Sequence, residues 1–147
     1  MKTISEIRDS LRLARRKLQE DYASHHQPAR HLLAHTKIVD EHLRMVWQLL
    51  AMPPELTLVA VGGYGRAELY PKSDIDLLIL LPQQPDERLQ QLLQELVGKL
   101  WDIGLEVGHS VRTIGDCMSE SSDVTVQTNL LEARHITGSH PLFVEMR

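Results

Sequence analysis

This 147-residue chain has one cysteine, one phenylalanine and an aromatic content of only 4%. A single thiol, Cys117, excludes an intrachain disulfide and fits a reducing compartment. Nothing beside it marks an activated thiolate, and it reads as filler near a helix start. No apolar run approaches the roughly 20 residues of a membrane span, and the N-terminus lacks a signal-peptide core. Both absences point to a cytoplasmic protein with no membrane partner. Charge of one sign is also scarce: the formal net charge is −4, which argues against a sequence-independent grip on nucleic acid. Arg12, Arg15, Arg16 and Lys17 cluster early, but Glu20 and Asp21 follow at once. The run therefore reads as a solvated helix face rather than an anion-attracting patch.

What is present suffices for one domain with its own core. Apolar residues at helical spacing predict a helix over 4–22 and a second over 29–50, the latter with Leu32, Leu33, Val39, Leu43, Val46, Trp47 and Leu50 as its inner stripe. Pro53 and Pro54 end it. A strand over 56–61 enters a glycine turn, a short helical turn is expected over 66–69, and a second strand covers 75–81. Asp86 is the expected N-cap of a helix over 87–102, with Trp101 counted among its inward residues and Gly104 as its stop. A third strand over 105–114 and a helix over 123–136 ending at Gly138 complete the pattern. The expected architecture is α+β, a small mixed β-sheet with flanking helices. Residues 1–52 form an N-terminal helical segment and 53–147 the core; 142–147 stop without an evident tail, as in a fragment of a longer chain.

The chemistry concentrates in residues 61–80, VGGYGRAELYPKSDIDLLIL. Side chains on a strand alternate, so Asp74 and Asp76 point to one face. Two such charges about 4 Å apart repel by roughly 4 kcal/mol at an effective dielectric of about 20, which a cation between them would relieve. Hard oxygen ligands select Mg²⁺ or Mn²⁺, ions that in turn hold nucleotide phosphates. Residues 77–81 are continuously apolar, as in a buried strand, so the two acids mark where burial ends at a site. Upstream, Gly62, Gly63, Tyr64, Gly65 and Arg66 form the candidate nucleotide-binding segment. Backbone amides approach a ligand closely where Cβ atoms are absent, and Arg66 adds a permanent forked charge. The segment is not a Walker loop, since no Gly-Lys-Ser/Thr follows. The dinucleotide pattern fails too, because Glu68 stands where its third glycine belongs.

GGYGR, a spacer and SDIDLLIL resemble the signature of the nucleotidyltransferase superfamily. The fuller wording, LVAVGGYGRAELYPKSDIDLLIL with LWDIGLEVGHSVRT and TNLLEARHITG downstream, is similar to the bacterial PII uridylyltransferase/uridylyl-removing enzymes over residues 56–138. That resemblance implies a nucleotidyltransferase fold and Mg²⁺- or Mn²⁺-dependent transfer of UMP from UTP to a tyrosine of the PII signalling protein, with release of pyrophosphate. It also implies glutamine control of a full-length enzyme carrying HD and ACT domains downstream. By position, Gly62 and Gly63 match the glycine pair at the phosphates, and Asp74 and Asp76 the metal-binding aspartates. Ala67 departs from the family's usual glycine. Superfamily sites add a third acid between apolar residues on a later strand; Glu106 fits that context, and Asp123 is a second candidate that also reads as a helix N-cap.

Two other functions stay open: adenylyl transfer to glutamine synthetase or another protein, and a nucleotide-binding regulatory module without catalysis. His31, His35 and His42 share helical spacing but lack an HExxH pattern, so surface or boundary positions are expected rather than a zinc site. His109 should face away from Glu106. Arg112 and Arg134 suit either phosphate contact or salt bridges.

Overall fold

A computed structural model describes residues 3–25, 28–65, 75–113 and 133–146. Along them run α1 (Ile4–His25), α2 (Pro28–Leu49), β1 (Thr57–Ala60), the single turn α3 (Gly62–Gly65), β2 (Ile75–Leu81), α4 (Glu87–Asp102), β3 (Val107–Thr113), β4 (Arg134–Gly138) and α5 (His140–Met146). The strands form one mixed sheet in the order β3-β2-β1-β4. β1 is antiparallel to β2 and β4, whereas β2 and β3 are parallel and joined through α4. This is the α+β architecture expected from the sequence.

Local chemistry sets the element ends. Thr3 and Glu6 make a reciprocal capping box at the start of α1: the Glu6 amide donates to Thr3 Oγ1 at 3.2 Å, and the Thr3 amide to Glu6 Oε1 at 3.4 Å. Asp86 caps α4 by accepting from the Leu89 amide at 2.8 Å. At its far end Leu105 N donates to Leu100 O and Gly104 N to Trp101 O, with Gly104 at φ +99°. That is a Schellman closure, and it needs a residue that tolerates the left-handed region.

Strand alternation divides the sheet between two unequal cores. Leu58, Ala60, Ile75, Leu77, Ile79, Leu81 and Val107 pack under α1, α2 and α4 against Leu11, Leu43, Trp47 and Leu96. On the opposite face, among the described residues, Val59, Leu78 and Leu80 pack with Leu142 and Phe143 of α5, with Val61 and Ala133 at the margin. β2 is therefore buried on both faces beyond its second residue, which explains its unbroken apolar run. The helices of residues 1–52 share the larger core with the sheet.

Several sequence-based expectations need correction. Trp101 is 53% exposed and Leu33 is also at the surface, so neither belongs to the inner face expected of its helix. His31, His35 and His42 are buried rather than at the surface. His42 is satisfied by Ile38 O at 2.7 Å and Ser10 Oγ at 3.0 Å, and His35 by Arg15 Nε at 3.2 Å. Arg15 thus leaves the solvated face expected of its cluster; its guanidinium also donates to Gly104 O, and burial lowers its pKa. The helix expected to end at residue 136 is also wrong where described. Residues 134–136 belong to β4, because β1 offers an open backbone edge that outweighs local helix preference. The expected turn over 66–69, Cys117 and residues 123–132 lie outside the described residues.

Candidate active site

β1 runs one step past its formal end: Val61 N donates to Asp76 O at 3.1 Å. The chain then reverses at Gly62, whose φ of +63° an L side chain rarely adopts. Gly65 N closes the short turn on Val61 O at 3.0 Å. The glycine turn is thereby stitched to the start of β2, and Asp76, the second residue of that strand, is exposed between buried neighbours. Its register partner on β3 is Gly108.

The two glycines frame the Asp76 carboxylate. A Cβ on Gly62 would stand 2.8 Å from Oδ2, and one on Gly108 would stand 3.3 Å from Oδ1. The carboxylate occupies space that any side chain at Gly62 would contest, and it lies at the start of β2. A carboxylate flanked by two glycines suits a hard, oxygen-seeking divalent ion. Among the described residues, no group of three potential ligands gathers in one place.

The other expected site residues distribute as follows. Gly62, Gly63, Tyr64 and Gly65 all fall in α3. Arg66, Asp74 and Asp123 lie outside the described residues. Glu106 is exposed one residue before β3, and its carbonyl accepts from Ile75 N at 3.0 Å. Its charge acts on Arg15 of α1, raising that group's pKa against the larger effect of burial. Because Gly108 stands directly beside Asp76, β3 itself adds no acid there.

Tyr64 lies in the candidate nucleotide-binding segment, and its side chain is 1% exposed and points into the core. Its hydroxyl donates to Asp40 Oδ1. Arg134 of β4 grips the same carboxylate through NH1 at 2.5 Å and NH2 at 3.2 Å, and NH2 also donates to Tyr64 O at 3.2 Å. The guanidinium lies 5.1 Å from the centroid of the Tyr64 ring. Of the two roles open to Arg134, the structure shows the salt bridge. Asp40 is outside the sequence-based site, yet the sequence holds a signal: it is a carboxylate on the inner face of α2, beside Val39, and a buried charge requires a partner.

The network sets a pH response. Burial pushes the Tyr64 phenol well above its ordinary range, and the Asp40 charge and hydrogen bond add to this against an opposing effect of Arg134. A folded-state pKa above the unfolded value gives stability that is complete below about pH 10 and declines as pH rises further. Tyr64→Phe should therefore flatten the fall of unfolding free energy above pH 10 by about one proton, or ~1.4 kcal/mol per pH unit. Denaturant titrations between pH 9 and 11 measure it; equal slopes in the two proteins would contradict the assignment.

The chain is similar to known proteins. A nucleotidyltransferase domain profile matches residues 41–132, more than half of the chain. The chain is 44% identical over 143 residues, 97% of its length, to a bifunctional uridylyltransferase/uridylyl-removing enzyme of Aromatoleum aromaticum. It is 48% identical over 137 residues, 92% of its length, to the enzyme of that name from Bordetella avium. For the Burkholderia lata enzyme the figures are 54% over 109 residues and 74%. These alignments cover 17%, 16% and 13% of the respective relatives, so the chain spans about one-sixth of their length or less.

Proposed function

Because the chain belongs to the nucleotidyltransferase domain family, we propose that it is the transferase part of a uridylyltransferase, moving UMP from UTP to a tyrosine of the PII signalling protein. The observation that carries this reading is the Asp76 carboxylate set between Gly62 and Gly108 beside an amide-rich turn. The names of the relatives favour uridylyl over adenylyl transfer.

In this reading the acceptor tyrosine oxygen attacks the α-phosphorus of UTP in line, its proton leaves, and the bond to pyrophosphate breaks. Gly62 and Gly63 let the backbone approach the triphosphate, and the amides of the turn donate to its oxygens. Asp74 and Asp76 would hold Mg²⁺ or Mn²⁺, which when bound screens the charge on the phosphates and the leaving group. Glu106 is the proposed third acid and Arg66 the proposed cation at the phosphates. Glutamine is the proposed effector of the longer enzyme, and the cytoplasm the proposed compartment. Among the described residues, no helix is long and apolar enough to cross a membrane.

Titration of the chain with UTP and with ATP, each with Mg²⁺, tests the reading. Tighter binding of UTP, lost when the metal is chelated, is the expected result. Preference for ATP would redirect the proposal to adenylyl transfer, and binding indifferent to the metal would remove it.

A further inference from the structure

Three of the four residues of α3 are glycine, so Tyr64 is the only one with a side chain by which the turn can be anchored. Glycine-rich backbone loses the most conformational freedom on ordering, and its placement must be enforced from outside. Here the anchoring is double: the Tyr64 hydroxyl donates to Asp40, and the Tyr64 carbonyl accepts from Arg134. The two anchoring groups are themselves paired, with Asp40 only 8% and Arg134 28% exposed. Arg134 Nε is buried without a partner among the described residues, a cost that stability alone does not explain. Buried ion pairs are also poor stabilising devices relative to apolar packing. Their suitability lies in fixed geometry, here a bidentate fork on a carboxylate.

We propose that Asp40 and Arg134 are positioning residues that fix the glycine turn from α2 and β4, so that its amides are preset for a triphosphate. The triphosphate part rests on the function proposed above. Both residues lie just outside the segment matched by the family profile, residues 41–132. The anchor therefore ties the helical N-terminus and the last strand to the site, and α2 works as part of the nucleotide-binding machinery.

Amide hydrogen exchange on the 147-residue chain tests the anchor without any ligand. In Arg134→Gln the Gly65 amide, which closes the turn on Val61 O, should exchange about tenfold faster or more, while α4 stays at its wild-type rate. Arg134→Lys, which keeps the charge but not the fork, should fall between the two. If Arg134→Gln does not fold, Tyr64→Phe is measured in the same way, with the same local acceleration expected. Unchanged exchange in the turn, or an equal rise in α4, would overturn the proposal, since the pair would then serve only global stability. UTP titration of the same proteins separates the two readings. Weaker UTP binding in step with exchange supports both, and binding unchanged despite faster exchange refutes the presetting. A wild-type chain that ignores UTP while Arg134→Gln loosens the turn refutes only the nucleotide reading.

Discussion

Gly138→Ala should strongly destabilise the native fold. The residue sits at φ +90°, and a Cβ there would lie 2.1 Å from Leu56 O and 2.9 Å from Thr57 Cα. Both obstacles are backbone, so no side chain can swing aside. Gly138 is paired with Thr57 in the β1–β4 register, and the next residue is fixed twice: Ser139 N donates to Leu56 O at 2.8 Å, and Thr57 Oγ1 donates to Ser139 O at 2.7 Å. Relief therefore means prising β4 from β1, which would also carry Arg134 away from Asp40. We expect a loss above about 4 kcal/mol, a large share of the ~5–15 kcal/mol available to a domain. Gly98→Ala is the matched control, because nothing lies within 4 Å of its added Cβ. On the exposed face of α4 it should stabilise by about 0.5–1 kcal/mol. Urea unfolding followed by circular dichroism measures both. A Gly138→Ala protein with a wild-type midpoint would contradict the packing described for β4.

Asp76→Asn is expected to remove nucleotide transfer while leaving the fold intact. Asparagine keeps the shape of the side chain and removes the charge that would hold a divalent ion. The side chain is exposed, so stability should stay within about 0.5 kcal/mol. The proposed transfer of UMP to PII, measured by pyrophosphate release, should fall by about 10²-fold or more, the range seen when a group stabilising transition-state charge is lost. Gly62→Ala approaches the same carboxylate from the other side. Its methyl would press on Asp76 Oδ2, and the left-handed backbone adds about 1–2 kcal/mol of strain. It should weaken Mn²⁺ binding even though it removes no ligand. Full transfer activity in Asp76→Asn would dismiss the site.

Much of this was legible in the chain because the relevant signals are local. The alternation of Asp74 and Asp76 before an apolar run, the N-cap at Asp86 and the glycine stop at Gly104 each depend on a few neighbouring residues, and β2, α4 and the Gly104 closure stand as read. Misreadings arose where the deciding partner is distant in sequence. Residues 134–136 pair with β1 more than 70 positions upstream, so local helix preference was a poor guide. Asp40 and Arg134 are 94 positions apart, and neither advertises the other. Trp101 followed the helical period but lies past the edge of what α4 buries. Gly108 carried no signal by itself; its meaning comes only from standing opposite Asp76.

The crossover through α4 also polarises the sheet. β2 and β3 both begin at the edge where β1 ends, which gathers Asp76, Gly108 and the glycine bend at a single rim. The other rim, where β2 gives way to the linker ahead of Asp86, is roughly 16 Å from Asp76 along the strand. Dyes, tethers or an inserted loop grafted onto that distant margin would stand clear of the proposed site, which makes it the natural handle for immobilising this protein.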